Sequence, residues 1–163
     1  FHGGLIGIII SIFLFCKKNN INFYKLSDLV AMVAPIGLFL GRIGNFINVE
    51  LYGRVTEFPI AMIYPQVDNL PRHPSQLYEA LFEGLVIFII LITYYLKNYQ
   101  NLKFGLITSM FLILYAIFRF LIEFIREPDL QIGLIYNSIT MGQILSIPIF
   151  IFGIFIFLRK INK

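Results

Sequence analysis

Charge is scarce in this chain of 163 residues. Charged side chains make up 13% of it, against about 25% in soluble domains, while 58% of residues are hydrophobic and mean hydropathy is +0.82. That balance excludes an ordinary soluble enzyme and defines a polytopic membrane protein. Cysteine is nearly missing: Cys16 stands alone, which excludes an internal disulfide and any multi-cysteine metal site, and it reads as a small buried hydrophobe. There are two histidines, His2 and His73; with the scattered acids they match no metal-ligand spacing, so no metal is expected. A Gly-rich P-loop, a nucleophile elbow, an internal repeat and a second soluble domain are also missing, and no cofactor is expected. The net charge of +4 comes from basic residues dispersed among apolar runs, so no nucleic acid is expected. The chain opens on Phe1, inside an apolar run and without a cleavable signal peptide. It reads as a piece lacking its natural N-terminus.

What is there is five apolar runs. Residues 1–15 form a truncated span ending at Lys17-Lys18-Asn19-Asn20. A second begins near Asp28, whose carboxylate suits the positive end of a helix dipole. Its purely apolar part, 29–40, is short, and reaching the roughly 20 residues of a span requires continuing to Ile47. Pro35 and Gly37 are places where it could kink. The third run covers 77–96, with Pro74 at its first helical position and Glu79 and Glu83 on one face. The fourth covers 104–122 and the fifth 139–158, with Asn137 or Ser138 as N-cap. The expected fold is therefore all-α, one transmembrane domain over 1–163 with about five spanning helices. Residues 48–75 form its one long polar connection, within which 57–65 reads as either a short strand or an interfacial segment.

All seven lysines fall in the turn after the first run, the turn after the third, and the tail. The positive-inside rule makes that side cytoplasmic. The opposite side receives five of the six arginines and eight of the nine acids.

The stretch Gly41-Arg42-Ile43-Gly44-Asn45-Phe46-Ile47-Asn48-Val49-Glu50-Leu51-Tyr52-Gly53-Arg54 sits where a span should still be apolar. An arginine at helix-centre depth costs roughly 2.5–3.5 kcal/mol on insertion scales, so it requires a reason. Glycines allow close approach of backbone and ligand, and arginine's planar fork fits phosphate or carboxylate. The stretch reads as a pocket for an anionic group near a bilayer surface. Tyr115, Arg119, Glu123 and Arg126 fall on one helical stripe. Either Arg119 and Glu123 form an intrahelical ion pair at the membrane edge, or the stripe is a second wall of the pocket facing Arg42. Arg54 and Arg72 read as loop residues that could simply touch lipid phosphates, and Asn48 and Glu50 as residues that could simply satisfy loop backbone. His73 orders the following helix start. His2, beside Gly3-Gly4 at the same side as the other polar residues, carries an imidazole suited to accepting a proton near pH 7.

His2-Gly3-Gly4, GRIGNFINVELYGR at 41–54, RHPSQLYE at 72–79, FRFLIEFIREPD at 118–129 and TMGQILSIP at 140–148 together resemble bacterial prolipoprotein diacylglyceryl transferase. The resemblance runs over essentially the whole chain and implies the C-terminal portion of a seven-span enzyme of the bacterial inner membrane. About two spans, a periplasmic part and an N-terminal catalytic-cavity tyrosine would be missing. It implies transfer of a diacylglyceryl group from phosphatidylglycerol to the lipobox cysteine thiol of a preprolipoprotein, forming a thioether and releasing glycerol 1-phosphate on the periplasmic side. By resemblance, Arg42 and Arg119 clamp the phosphate. Asn45, Asn48, Glu50 and Gly53 shape the site and hydrogen-bond the head group or the arginines. Tyr115 and Glu123 support Arg119, and His2 is the thiol's base or orients it. A different class, a non-catalytic transporter of lipid or anionic solute, would also place paired arginines at membrane depth, but should show paired broken helices related by a repeat.

Overall fold

The computed structural model describes residues 2–128, 135 and 139–161, apart from the side chains of His2 and Leu5. Within them, five helical columns run back and forth: α1 (His2–Asn19), α2 (Phe23–Ile47), a composite third column over Ser75–Asn101, α5 (Leu106–Ile122) and α6 (Met141–Ile161). The third column comprises α3 (Ser75–Glu79), a π-helical turn (Ala80–Val86), α4 (Ile87–Asn98) and a closing 3₁₀ turn (Tyr99–Asn101). Phe23–Ile47, Ser75–Asn101 and Met141–Ile161 are long and apolar enough to cross a bilayer. The molecule is thus a helical, multi-pass membrane protein.

The columns expose apolar surface outward and bury a small interior. Ile6, Ile9, Phe13 and Leu14 of α1 are all about half exposed, as are Phe152 and Phe155 of α6, which is the pattern of helices facing lipid rather than water. The buried cluster draws Ala31 and Met32 from α2, Ile87 and Leu91 from α4, and Ile107 from α5.

Helix ends differ from the sequence expectation in instructive ways. The second helix starts at Phe23, before the expected start near Asp28, and Asn22 caps it, its side chain accepting from the Tyr24 and Lys25 amides. Asp28 lies within α2, 4% exposed, and caps a different helix. Its carboxylate accepts from Gly105 N at 2.6 Å, Thr108 N at 2.8 Å and Thr108 Oγ1 at 2.6 Å, all at the start of α5. A carboxylate at a positive helix end was the right chemistry on the wrong helix. Pro74 stands at the N-cap of α3 rather than its first helical position. At α6 the cap is a reciprocal box: Gln143 N donates to Thr140 Oγ1 at 3.3 Å and Thr140 N to Gln143 Oε1 at 3.1 Å. Asn137 and Ser138, the expected caps, lie outside the described residues. Pro35 remains inside α2, and the helix continues through Arg42 and Asn45 to Ile47.

The 48–75 connection is an ordered loop. Met62–Ile63 and Pro71–Arg72 pair antiparallel as β1 and β2, with Met62 opposite Arg72, so part of the 57–65 tract is a short strand. Tyr64 is buried and its hydroxyl donates to Gln76 Oε1 at 3.3 Å; burial pushes that phenol's pKa up.

Candidate active site

The site is built where α2 meets the π turn. Gly84 lies against Phe39, so closely that a Cβ there would stand 2.6 Å from the Phe39 Cβ. Arg42 is one helical turn after Phe39, and Glu83 directly precedes Gly84, so this contact brings the two charges together. π turns are frequent at functional sites, and this one carries Glu83 and follows Glu79.

Six charged side chains converge. Arg42 Nε lies 3.1 Å from Glu79 Oε2 and its Nη2 3.3 Å from Glu83 Oε2. From α5, Arg119 Nη1 reaches Glu79 Oε1 at 2.6 Å and Glu83 Oε1 at 3.8 Å, while its Nη2 meets Glu123 Oε2 at 2.8 Å. Arg126 Nη1 adds a third cation on Glu79 Oε1 at 3.1 Å. The Glu79 and Glu83 side chains are 0% exposed, whereas Arg42 and Arg119 keep 15% and 13%. Three guanidiniums face three carboxylates, so the cluster is formally neutral. A neutral arrangement is how such groups avoid the several kcal/mol per ion that unpaired burial costs. Glu123 also lies against the first turn of α6, where a Cβ on Gly142 would fall 2.7 Å from the carboxylate.

Not every ion pair in the cluster is also a hydrogen bond: Arg42 Nε, 3.1 Å from Glu79 Oε2, is a buried donor without a hydrogen-bond partner among the described residues, while Arg42 Nη2 donates to Glu83 Oε2 at 3.3 Å. An array of this kind suits an incoming anion such as phosphate.

The sequence-predicted residues do not all reach the cluster. Arg42, Arg119 and Glu123 are joined in the cluster: Arg119 and Glu123 form the local ion pair, and Arg119 shares Glu79 and Glu83 with Arg42. Gly53 is buried beside it, bridged to Arg126; its N–H donates to His73 O at 2.9 Å, and a Cβ would stand 2.5 Å from that oxygen. Asn45 lies in the last turn of α2, Asn48 is its C-cap and Glu50 follows in the turn leaving it. Among the described residues no hydrogen bond joins their side chains to Arg42 or Arg119, whose carboxylate partners are Glu79, Glu83 and Glu123. The Glu50 contribution is its carbonyl, which accepts from Gln76 Nε2 at 2.7 Å. Tyr115, one turn before Arg119, stacks on Phe111 with centroids 5.9 Å apart. His2 begins α1, and its side chain lies outside the described residues.

The loop arginines have structural tasks. Arg54 Nε donates to the Arg126 carbonyl at 3.0 Å. Arg72 pairs with Asp68 at 2.7 Å and Glu127 at 3.2 Å and lies 5.0 Å above the Tyr52 ring. Its guanidinium holds the Asp68 carboxyl below the usual range. Together with Ser75 Oγ, which donates to Leu51 O at 2.9 Å, these bonds tie 48–54 to the start of α3 and to 125–127. Val49 and Leu51 sit at φ of 58° and 57°, a left-handed conformation unfavourable for side chains of that type and most of all for β-branched valine.

What sequence reasoning missed is Glu79 and Glu83. Their spacing of four on an apolar span was visible, and two carboxylates at membrane depth demand cations as surely as two arginines demand anions.

A multi-pass helical membrane protein with a buried arginine–glutamate cluster at one end is the class that fold and site define. The family model of prolipoprotein diacylglyceryl transferase matches residues 1–159, and the chain belongs to that family. Relatives named phosphatidylglycerol–prolipoprotein diacylglyceryl transferase include the protein of Rickettsia felis, 58% identical over all 163 residues, and that of Rickettsia akari, 56% identical over the same length. A third, from Rickettsia bellii, is 55% identical over 159 residues, or 98% of this chain. The chain spans 63% of the length of the first two relatives and 60% of the third.

Proposed function

We propose that this chain carries the phosphate-handling part of an enzyme that moves a diacylglyceryl group from phosphatidylglycerol to the lipobox cysteine thiol of a preprolipoprotein. The observation that carries this reading is the convergence of Arg42 and Arg119, from separate helices, on the same buried pair Glu79 and Glu83. In the reaction a thiolate attacks the glycerol carbon that bears the phosphate ester oxygen. A carbon–sulfur bond forms, the carbon–oxygen bond breaks, and glycerol 1-phosphate leaves with the electron pair. Charge grows on the leaving phosphate, and fixed guanidinium donors in a low-dielectric site stabilise such charge without reorganising. The glutamates keep the guanidinium planes in place, the supporting layer that a precise site needs.

The guanidiniums of Arg42 and Arg119 are assigned to the phosphate. Asn45, Asn48 and Glu50, on the turn beside them, are assigned to the head group, with Tyr115 and Glu123 supporting Arg119. The thiol must lose its proton before it attacks, and His2 is assigned as its acceptor or orienting group. The lysine distribution directs the arginine–glutamate end toward the periplasm of a bacterial inner membrane. Single cysteines introduced at Asp68 and Lys103 should label from opposite faces, and labelling from one face would overturn that orientation.

The direct test supplies the protein, in its full-length form and in membranes containing phosphatidylglycerol, with a lipobox peptide. The peptide should gain the mass of a diacylglyceryl group. No gain, with a relative active alongside, would remove the reading.

A further inference from the structure

The opposite end of the bundle carries cations for which the proposed transfer has no use. Arg159 and Lys160, with Tyr24, Phe155 and Ile156, line a hollow of about 170 Å³ where the end of α6 meets the start of α2. Its walls are set. The Lys160 Nζ lies 3.7 Å from the Tyr24 ring centroid and the Arg159 guanidinium 5.1 Å from that of Phe155. Gly105, at φ +98°, gives these groups room: a Cβ there would stand 2.9 Å from both Lys160 Cε and Tyr24 Cδ1. Two more cations flank the hollow's elements. Lys25 lies 5.9 Å from the Phe104 ring centroid, and Lys103 Nζ donates to the Ile161 carbonyl at 3.3 Å.

Among the described residues none of these four cations has a carboxylate partner. The acid of this end, Asp28, is one turn beyond Tyr24, but it is buried and both its oxygens accept bonds from the start of α5. Among the described residues, like charges are therefore gathered without an internal counter-ion, at the end of Met141–Ile161, a helix long and apolar enough to cross a bilayer. The hollow is half aromatic and apolar, so it can also receive the upper part of an acyl chain. A zwitterionic head group would bring an ammonium that finds no acid to pair with.

We propose that the hollow between Tyr24, Phe155, Arg159 and Lys160 binds the phosphate of an anionic membrane phospholipid, held as a resident lipid at the end of the bundle opposite the arginine–glutamate cluster. Basic side chains near a membrane surface favour anionic lipid by amounts that make the pair's preference on the order of tenfold or more.

Native mass spectrometry of the protein, released from micelles with phosphatidic acid or phosphatidylcholine, tests this. The unaltered protein should retain phosphatidic acid at least about tenfold better than phosphatidylcholine. The variant R159A/K160A should lose one bound copy, and the charge-preserving R159K/K160R should keep it. Inorganic phosphate at equal concentration should leave the lipid in place. Unchanged stoichiometry in R159A/K160A, equal retention of phosphatidylcholine, or loss of the copy in R159K/K160R as well would each overturn the proposal. Displacement by inorganic phosphate would overturn the lipid as its ligand.

Discussion

The two ends of the bundle treat charge in opposite ways. At one, Arg42, Arg119 and Arg126 share Glu79, Glu83 and Glu123 at 2.6–3.8 Å, largely out of solvent. At the other, Lys25, Lys103, Arg159 and Lys160 lie over rings or against a helix end, with Asp28 committed elsewhere. The difference lies in the partners: three carboxylates meet the guanidiniums of the first end, whose planar, weakly hydrated fork suits burial among them. Charge in the first place is paired within the fold, and in the second it has no carboxylate partner among the described residues.

This contrast can be broken most forcefully at Glu79, which touches all three arginines. Glu79→Ala should cost about 3–5 kcal/mol of stability, the usual penalty for leaving buried charge unpaired, read as a fall in thermal unfolding temperature in detergent. Glu83→Ala, whose contacts are longer, should cost less; equal losses would mean the pairs are not ranked as their distances suggest. At the opposite end, Asp28→Ala should cost about 1–3 kcal/mol by stripping acceptors from buried donors at the start of α5. Transfer per folded molecule should be nearly preserved, which separates a structural carboxylate from those of the cluster.

Much of this was legible beforehand. Composition and run length gave the five columns, and the cost of an arginine at depth pointed to Arg42. The spacing from Tyr115 to Arg126 put Arg119, Glu123 and Arg126 on one stripe, and all three pair within the cluster. Partners across the bundle were not legible: a local pattern places Glu79 and Glu83 on a face, but only packing of Gly84 on Phe39 decides what that face meets. Asp28 shows the same limit, since its sequence neighbourhood suggests α2 while its bonds go to α5. The turn after Ile47 is tied to the start of α3 through the carbonyls of Glu50 and Leu51, which accept from Gln76 and Ser75, contacts that a sequence pattern of side chains does not reveal.

Smaller effects sharpen the picture. Gly53→Ala should destabilise by about 1–3 kcal/mol, typical of overpacking, because its Cβ would press on the His73 carbonyl; an unchanged unfolding temperature would mean the 53–73 contact is loose. The weakest effect belongs to Asp68. Arg72 lowers its pKa, so the pair contributes stability above the ordinary aspartate value and loses it as pH falls through the lowered one, that is, below about pH 4. Asp68→Asn should flatten that part of an acid-unfolding curve while changing little at neutral pH.

The claim on which the account turns is that Arg42 and Arg119 present planar donors to a leaving phosphate. Arg42→Lys and Arg119→Lys keep the charge and remove the fork. Transfer of diacylglyceryl mass from phosphatidylglycerol to a lipobox peptide, measured beside the unaltered full-length protein at matched folded concentration, should fall by at least about tenfold in each, the loss of a charge-assisted bond. Near-normal transfer by both lysine variants would contradict it.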